Sequence, residues 1–158
     1  MRKRLLADHQ LRRWVKHSLE ISAGAFPNSK YEMWTQCQVF VPHAVECIGH
    51  LADDKEDILN QALLAFRVGV YILDRGEYNK AQTLLLTSKT RREDVLGPEH
   101  PDTLSSIFHI GLVLLGQWKN KEAEVIIQQA ANRCEEALGL KHRDTLDVIS
   151  CLGVALER

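Results

Sequence analysis

No run among the 158 residues approaches the ~18 consecutive apolar side chains that a membrane-crossing helix requires. Val68 to Leu73 stops at Asp74, and Ile110 to Leu115 stops at Gly116 and Gln117. The start, Met1-Arg2-Lys3-Arg4, carries the charge of a signal peptide without its apolar core, because Asp8, His9, Gln10, Arg12 and Arg13 follow. Secretion is not indicated, and a soluble cytoplasmic domain is expected. There is no Gly-x-x-x-x-Gly-Lys-Ser/Thr loop, so no phosphate cradle of that kind lies in the sequence. Nor is there an excess of positive charge: 20 Lys and Arg face 21 Asp and Glu, too few net cations to make dedicated counterion-releasing contact with nucleic acid the first reading. The four cysteines (Cys37, Cys47, Cys134 and Cys151) are spread through helical patterns and make no dense framework, which suits reduced thiols in a cytosolic protein.

What the sequence does have is self-similarity. Leu96-Gly97-Pro98-Glu99-His100-Pro101-Asp102-Thr103-Leu104 returns as Leu138-Gly139-Leu140-Lys141-His142-Arg143-Asp144-Thr145-Leu146. The same spacing joins Gly69, Gly111 and Gly153, and pairs Ala81 with Ala123, Arg91 with Arg133, Glu93 with Glu135, Ile107 with Ile149 and Leu114 with Leu156. Within each unit the apolar residues recur at helical spacing, as in Ile107, Ile110 and Leu114, then Ala123, Ile126, Ile127 and Ala130. Each unit therefore reads as two helices. At the junction the glycine suits a left-handed helix end, Pro98 and Pro101 discourage continuation, and Asp102 and Asp144 are placed to cap the next helix. Helices are expected near Asp8–Ala25, Ser29–Leu51, Lys55–Asp74, Tyr78–Leu96, Thr103–Leu115, Asn120–Leu138 and Thr145–Arg158. No segment sustains strand alternation, so the fold class is all-α. Residues 1–54 form an N-terminal helical segment, basic at its start with seven Lys and Arg against two acids in Met1 to Lys30, and residues 55–158 form the repeats.

These residues resemble the tetratricopeptide repeat family. The small residue of its first helix corresponds to Gly69, Gly111 and Gly153, and the alanine of its second helix to Ala81 and Ala123. The 42-residue period and the Leu-Gly-x-x-His-x-Asp-Thr-Leu junction resemble the longer repeats of kinesin light chains. Phe26-Pro27, Trp34, Cys37 and Pro42-His43-Ala44 resemble the segment that joins a nucleotide-switch module to such repeats in NB-ARC and NACHT receptors. The resemblance implies a right-handed superhelix of antiparallel helix pairs, a protein-binding scaffold and no enzymatic activity. It also implies that the chain is part of a longer signalling protein, with the last repeat lacking its second helix.

Several groups of residues invite a chemical reading and have a better structural one. His43, Cys47 and His50 lie on one helix face with Cys37 nearby, but a single helix does not spread four ligands around a tetrahedron, so no metal is expected. Glu99, His100 and Asp102 look like an acid and base group, yet His100 recurs as His142 at an equivalent junction, where it fixes inter-repeat geometry. Cys134 and Cys151 read as small core residues rather than nucleophiles. No cofactor is expected. Arg2, Lys3, Arg4, Arg12, Arg13 and Lys16 make a basic amphipathic start with Leu5, Leu6, Leu11, Trp14, Val15 and Leu19 between them. A basic-arm adaptor for nucleic acid or an acidic membrane surface is the alternative function, although neither partner is the leading expectation.

In the register of the resemblance, the concave surface carries Phe66, Val70 and Leu73, then Phe108, Leu112 and Leu115, then Ser150 and Val154. Repeats that clamp a terminal carboxylate carry Lys, Asn and Arg there, and kinesin light chains favour asparagine. This apolar line fits an amphipathic helix or peptide, or is filled by packing within the superhelix. The last helix is expected to present Ile149, Leu152 and Leu156 to a missing partner, which makes self-association through that face a further expectation.

Overall fold

The computed structural model describes residues 16–17, 19–24, 26, 34–50, 52 and 54–139, together with 148, 150 and 153. Within these residues the chain is entirely helical and turn. After a helical stretch over 19–24 come α1 (Trp34–Gly49), α2 (Lys55–Asp74), α3 (Tyr78–Leu96), α4 (Pro101–Gly116) and α5 (Asn120–Leu138). Each helix packs on its neighbour in sequence, and the short connections make α2 with α3 and α4 with α5 two hairpins. The two hairpins keep the spacing of the sequence repeat, down to the first and last residues of α3 and α5.

The boundaries have local causes. α2 begins at Asp54, whose carboxylate accepts the Asp57 backbone N–H at 2.8 Å. α3 and α5 end at Gly97 and Gly139, with φ of 93° and 84° and extended ψ of 166° and 160°. Only glycine adopts that conformation readily, so the left-handed ending expected from sequence is found as its extended variant. The junction proline acts differently from expectation. Pro101 begins α4, because its missing N–H and fixed φ suit the first helical position, and His100 is the cap: its Nδ1 accepts the Asp102 backbone N–H at 3.2 Å. Asp102 thus lies in the first turn instead of capping it. Thr103 reaches back, donating from Oγ1 to the Gly97 carbonyl at 2.9 Å. Gln61, its counterpart one repeat earlier, does the same service for α1 by donating to the His50 and Cys47 carbonyls at 2.7 and 3.2 Å.

Small residues set the distance between paired helices. A Cβ on Gly111 would overlap Ile127, and one on Gly69 would stand 2.9 Å from the Leu85 Cγ. Gly116 receives the Tyr78 ring, which ties the two hairpins together where their turns meet. Leu64, Ala65, Val68, Ala81, Leu85, Leu104, Val113, Ala123, Ile127 and Ala130 fill the interior with no exposure at all. The joint between hairpins is different in kind: Ser88, Arg92 and Ser106 are buried there, whereas their counterparts one repeat on, Ala130, Cys134 and Val148, are buried apolar groups.

The turns repeat as well. Glu77 donates to Ile72 and Gly76 to Leu73, as Lys119 donates to Leu114 and Trp118 to Leu115. Gly76 has φ 78° and Trp118 has φ 62°, so a tryptophan holds a left-handed position that its counterpart fills with glycine.

Stability should respond to both features. Gly111→Leu should lose about 1–3 kcal/mol or more by overpacking against Ile127, while Gly49→Ala, which meets nothing within 4 Å, should leave the urea midpoint unchanged or raise it. Trp118→Gly should gain about 1 kcal/mol by releasing the left-handed backbone, since the indole is 79% exposed and leaves no cavity; a midpoint that falls would contradict the assignment.

Candidate protein-binding surface

The first helices α2 and α4 carry the residues expected on the concave surface. Phe66, Val70 and Leu73 from α2 and Leu112 and Leu115 from α4 are half-buried against the core, and Phe108 is buried at 8% exposure. Ser150 is exposed, and Val154 lies outside the described residues. The structure gathers Phe66 and Phe108 around a residue the sequence reading passed over. The His109 ring stands edge-on to Phe66 at 4.9 Å and to Phe108 at 5.3 Å. Its Nδ1 lies 2.8 Å from the Ser105 carbonyl, which fixes Nδ1 as the protonated nitrogen of the neutral ring.

Arg92 completes this group from α3. Its guanidinium lies over the Phe66 ring at 4.6 Å, and Nη1 donates to the Asp102 carbonyl at 2.7 Å and to the Ser106 Oγ at 3.0 Å. Ser106 in turn lies 3.2 Å from the Ser88 Oγ. Arg92, Phe66, His109 and Phe108 therefore form a continuous cation–ring contact line across α3, α2 and α4. Burial lowers the affinity of Arg92 for its proton, partly offset by the nearby Asp102. Burial also lowers the pKa of His109, against the opposing pull of its Ser105 hydrogen bond and of Asp74. The sequence carried a signal for Arg92: it follows Ala81, Leu85 and Ser88 at helical spacing, so an arginine occupies the buried face of α3.

The other singled-out residues are dispersed. His43 is exposed, Cys47 is buried with its Sγ 3.7 Å from the Ser22 Oγ, and His50 lies 4.0 Å from Glu46. Among the described residues no group of three His, Cys, Asp or Glu side chains is arranged to hold a metal. Of Glu99, His100 and Asp102 the structure brings two together, the Asp102 carboxylate standing 3.8 Å from the His100 ring that caps the helix, while Glu99 is 3.9 Å from Arg133. Lys16 is the described member of the basic start, and it faces Asp54, Glu56 and Asp57 within 3.6 Å. Ile149, Leu152 and Leu156 lie outside the described residues; Val148 is buried and Gly153 exposed. Among the described residues no helix is long and apolar enough to cross a membrane.

Stacked hairpins whose equivalent elements recur at one fixed period define a helical-repeat protein. Residues 60–136 match the family model of the tetratricopeptide repeat, so the two hairpins are similar to repeats of that family. No curated protein matches the chain. Tetratricopeptide repeats generally bind proteins or peptides and are typically non-catalytic.

The line through Arg92 and His109 has measurable consequences. Arg92→Ala should destabilise the domain by about 2–3 kcal/mol, because it leaves the Asp102 carbonyl and Ser106 hydroxyl short of a donor; Arg92→Lys, without the planar fork, should not restore it. His109 is held neutral in the fold, so its contribution is complete above the unfolded value near 6.5 and is lost as pH falls below it. Between pH 7.5 and 5.5 stability should fall more steeply in the parent than in His109→Gln, by up to about 1.4 kcal/mol per pH unit. Equal slopes in urea titrations would remove His109 from the account.

Proposed function

We propose that the chain is a non-enzymatic scaffold whose concave apolar line, Phe66, Val70, Leu73, Phe108, Leu112 and Leu115, receives a protein or peptide partner. An amphipathic helix is the segment that best suits this line, since apolar side chains recurring at helical spacing match a row of half-buried apolar residues. The observation that carries the reading is the partial burial of five of these six side chains. They are anchored in the core yet retain apolar surface, as the receiving side of an interface does. Ser150 and Val154 extend the proposed line into the next repeat.

The finer reading rests on resemblance. The 42-residue period supports kinesin-light-chain-like repeats, and the Phe26-Pro27, Trp34 and Pro42-His43-Ala44 pattern supports a place after the nucleotide-switch module of a larger signalling receptor in the cytoplasm. Residues 1–54 are then the helical segment leading into the repeats at 55–158, and the face of Ile149, Leu152 and Leu156 supplies a second contact, with another copy.

The groove reading is tested by retention of a partner from cell extract on immobilised chain, followed by binding measurements with the purified partner. Leu112→Asp should weaken binding by at least about tenfold, the effect expected when a charge is placed in an apolar contact. Val125→Asp, at a side chain 56% exposed on α5, should not. The reverse pattern would move the site off the concave line.

A further inference from the structure

A second concavity lies between α1 and α3, and it is made of residues other than the concave line. The backbones of these two helices stay apart, and Arg91 of α3 bridges them to the Ile48 carbonyl of α1. The gap between them is floored by Tyr71 and Ile72 of α2 and walled on the α1 side by Gln38, Val41, Pro42 and Val45, giving a cavity of about 500 Å³. A shallower depression of about 440 Å³, lined by α3 alone, continues past Leu86, Thr87 and Thr90 to Arg91, and Thr83 lines both. The two together make a groove running from Lys80 to Arg91, about 16 Å along the helix axis at the usual rise.

The walls are apolar and the ends are cationic. At one end the Arg75 guanidinium donates to the Tyr71 Oη at 3.2 Å and stands 3.7 Å from Glu77, which also holds Lys80 at 2.7 Å. One carboxylate therefore serves two cations. At the other end Arg91 donates from Nη2 to the Ile48 carbonyl at 3.0 Å, while its Nη1 is buried with no hydrogen-bond partner among the described residues. A guanidinium held this way is short of an acceptor, and burial pushes its pKa down for want of a counter-ion. Among the described residues that line the groove, Arg75, Lys80 and Arg91 have Glu77 as their one acidic neighbour. That local excess of positive charge contrasts with the net charge of -1 for the whole chain.

We propose that the groove between α1 and α3 docks a peptide segment of a partner protein, apolar in its middle and carrying a carboxylate towards each end. The apolar middle lies on Val41, Pro42, Val45 and Leu84. One carboxylate meets Arg75 and Lys80, and the other supplies the acceptor that Arg91 lacks. Two acidic residues four apart on an extended chain point to the same face about 13 Å apart, and their side chains reach the remaining few ångströms to the two ends.

The probe is a fluorescein-labelled acetyl-Glu-Leu-Val-Leu-Asp-amide peptide, titrated with the full chain and read by anisotropy. Saturable binding is expected, weakened by at least about tenfold when the peptide's Glu and Asp are replaced by Gln and Asn. Thr83→Glu, at an exposed position in the middle of the groove, should weaken it comparably, whereas Thr83→Lys and the concave-line variant Leu112→Asp should retain it. Matching thermal midpoints for the two Thr83 variants exclude misfolding as the cause. No saturation up to about 1 mM, equal affinity for the neutral peptide, or loss on Leu112→Asp with retention on Thr83→Glu would overturn the proposal. A chain that dimerises in sedimentation and becomes monomeric on Thr83→Glu would assign the groove to a second copy, and would equally overturn it. Because the groove and the concave line are disrupted by different substitutions, failure of one leaves the other standing.

Discussion

Close approach of paired helices at glycine is the constraint from which the other contacts follow. Ile127 lies where a Gly111 side chain would be, and Leu85 lies against Gly69, so each first helix sits directly on its second helix. That separation sets the angle at which the next hairpin docks, and Tyr78 on Gly116 repeats the device between hairpins. Larger side chains at these positions would hold the helices apart, and the carbonyls that Gln61 and Thr103 now reach would fall out of range. Backbone caps, hairpin pairing and inter-hairpin register are thus linked through three glycines.

The joints between hairpins use that geometry in two chemical ways. At the joint of α3 with α4, Ser88, Arg92 and Ser106 form a buried polar seam ending on the Asp102 carbonyl. One repeat later the same positions are Ala130, Cys134 and Val148, all buried. A satisfied polar seam admits few alternative registers, because displacing it strands a charge and several hydroxyls in an apolar interior. An apolar seam tolerates sliding better. The first joint is also the place where Arg92 supports Phe66 and His109 closes against Phe108, so the polar seam fixes the position of that apolar line.

Much of this was legible in the sequence because the repeat period reports each element twice. α2, α3 and α5 have the boundaries expected from apolar spacing, and Gly97 and Gly139 mark helix ends as glycines at such ends do. α4 starts at Pro101, two residues before the expected Thr103, because the chemistry that makes proline a stop suits a first helical turn equally. Position along a helix identified Phe66, Val70, Leu73, Leu112 and Leu115, but periodicity does not say how much of each side chain remains exposed. Arg92 and His109 were missed because their partners lie on other helices. The groove between α1 and α3 was invisible for a related reason: it lies between two helices distant in sequence whose backbones stay apart, and such a gap leaves no periodic pattern.

Native-state hydrogen exchange under increasing urea tests the dependence on glycine packing most directly. If close packing at Gly69, Gly111 and Gly116 couples the hairpins, the interior amides of α2, α3, α4 and α5 should converge on one opening free energy and one urea dependence, that of global unfolding. Under the substitution Gly116→Val, which removes the Tyr78 contact between hairpins, that single class should split into two. Two classes already present in the parent chain, with α4 and α5 opening independently of α2 and α3, would contradict the account.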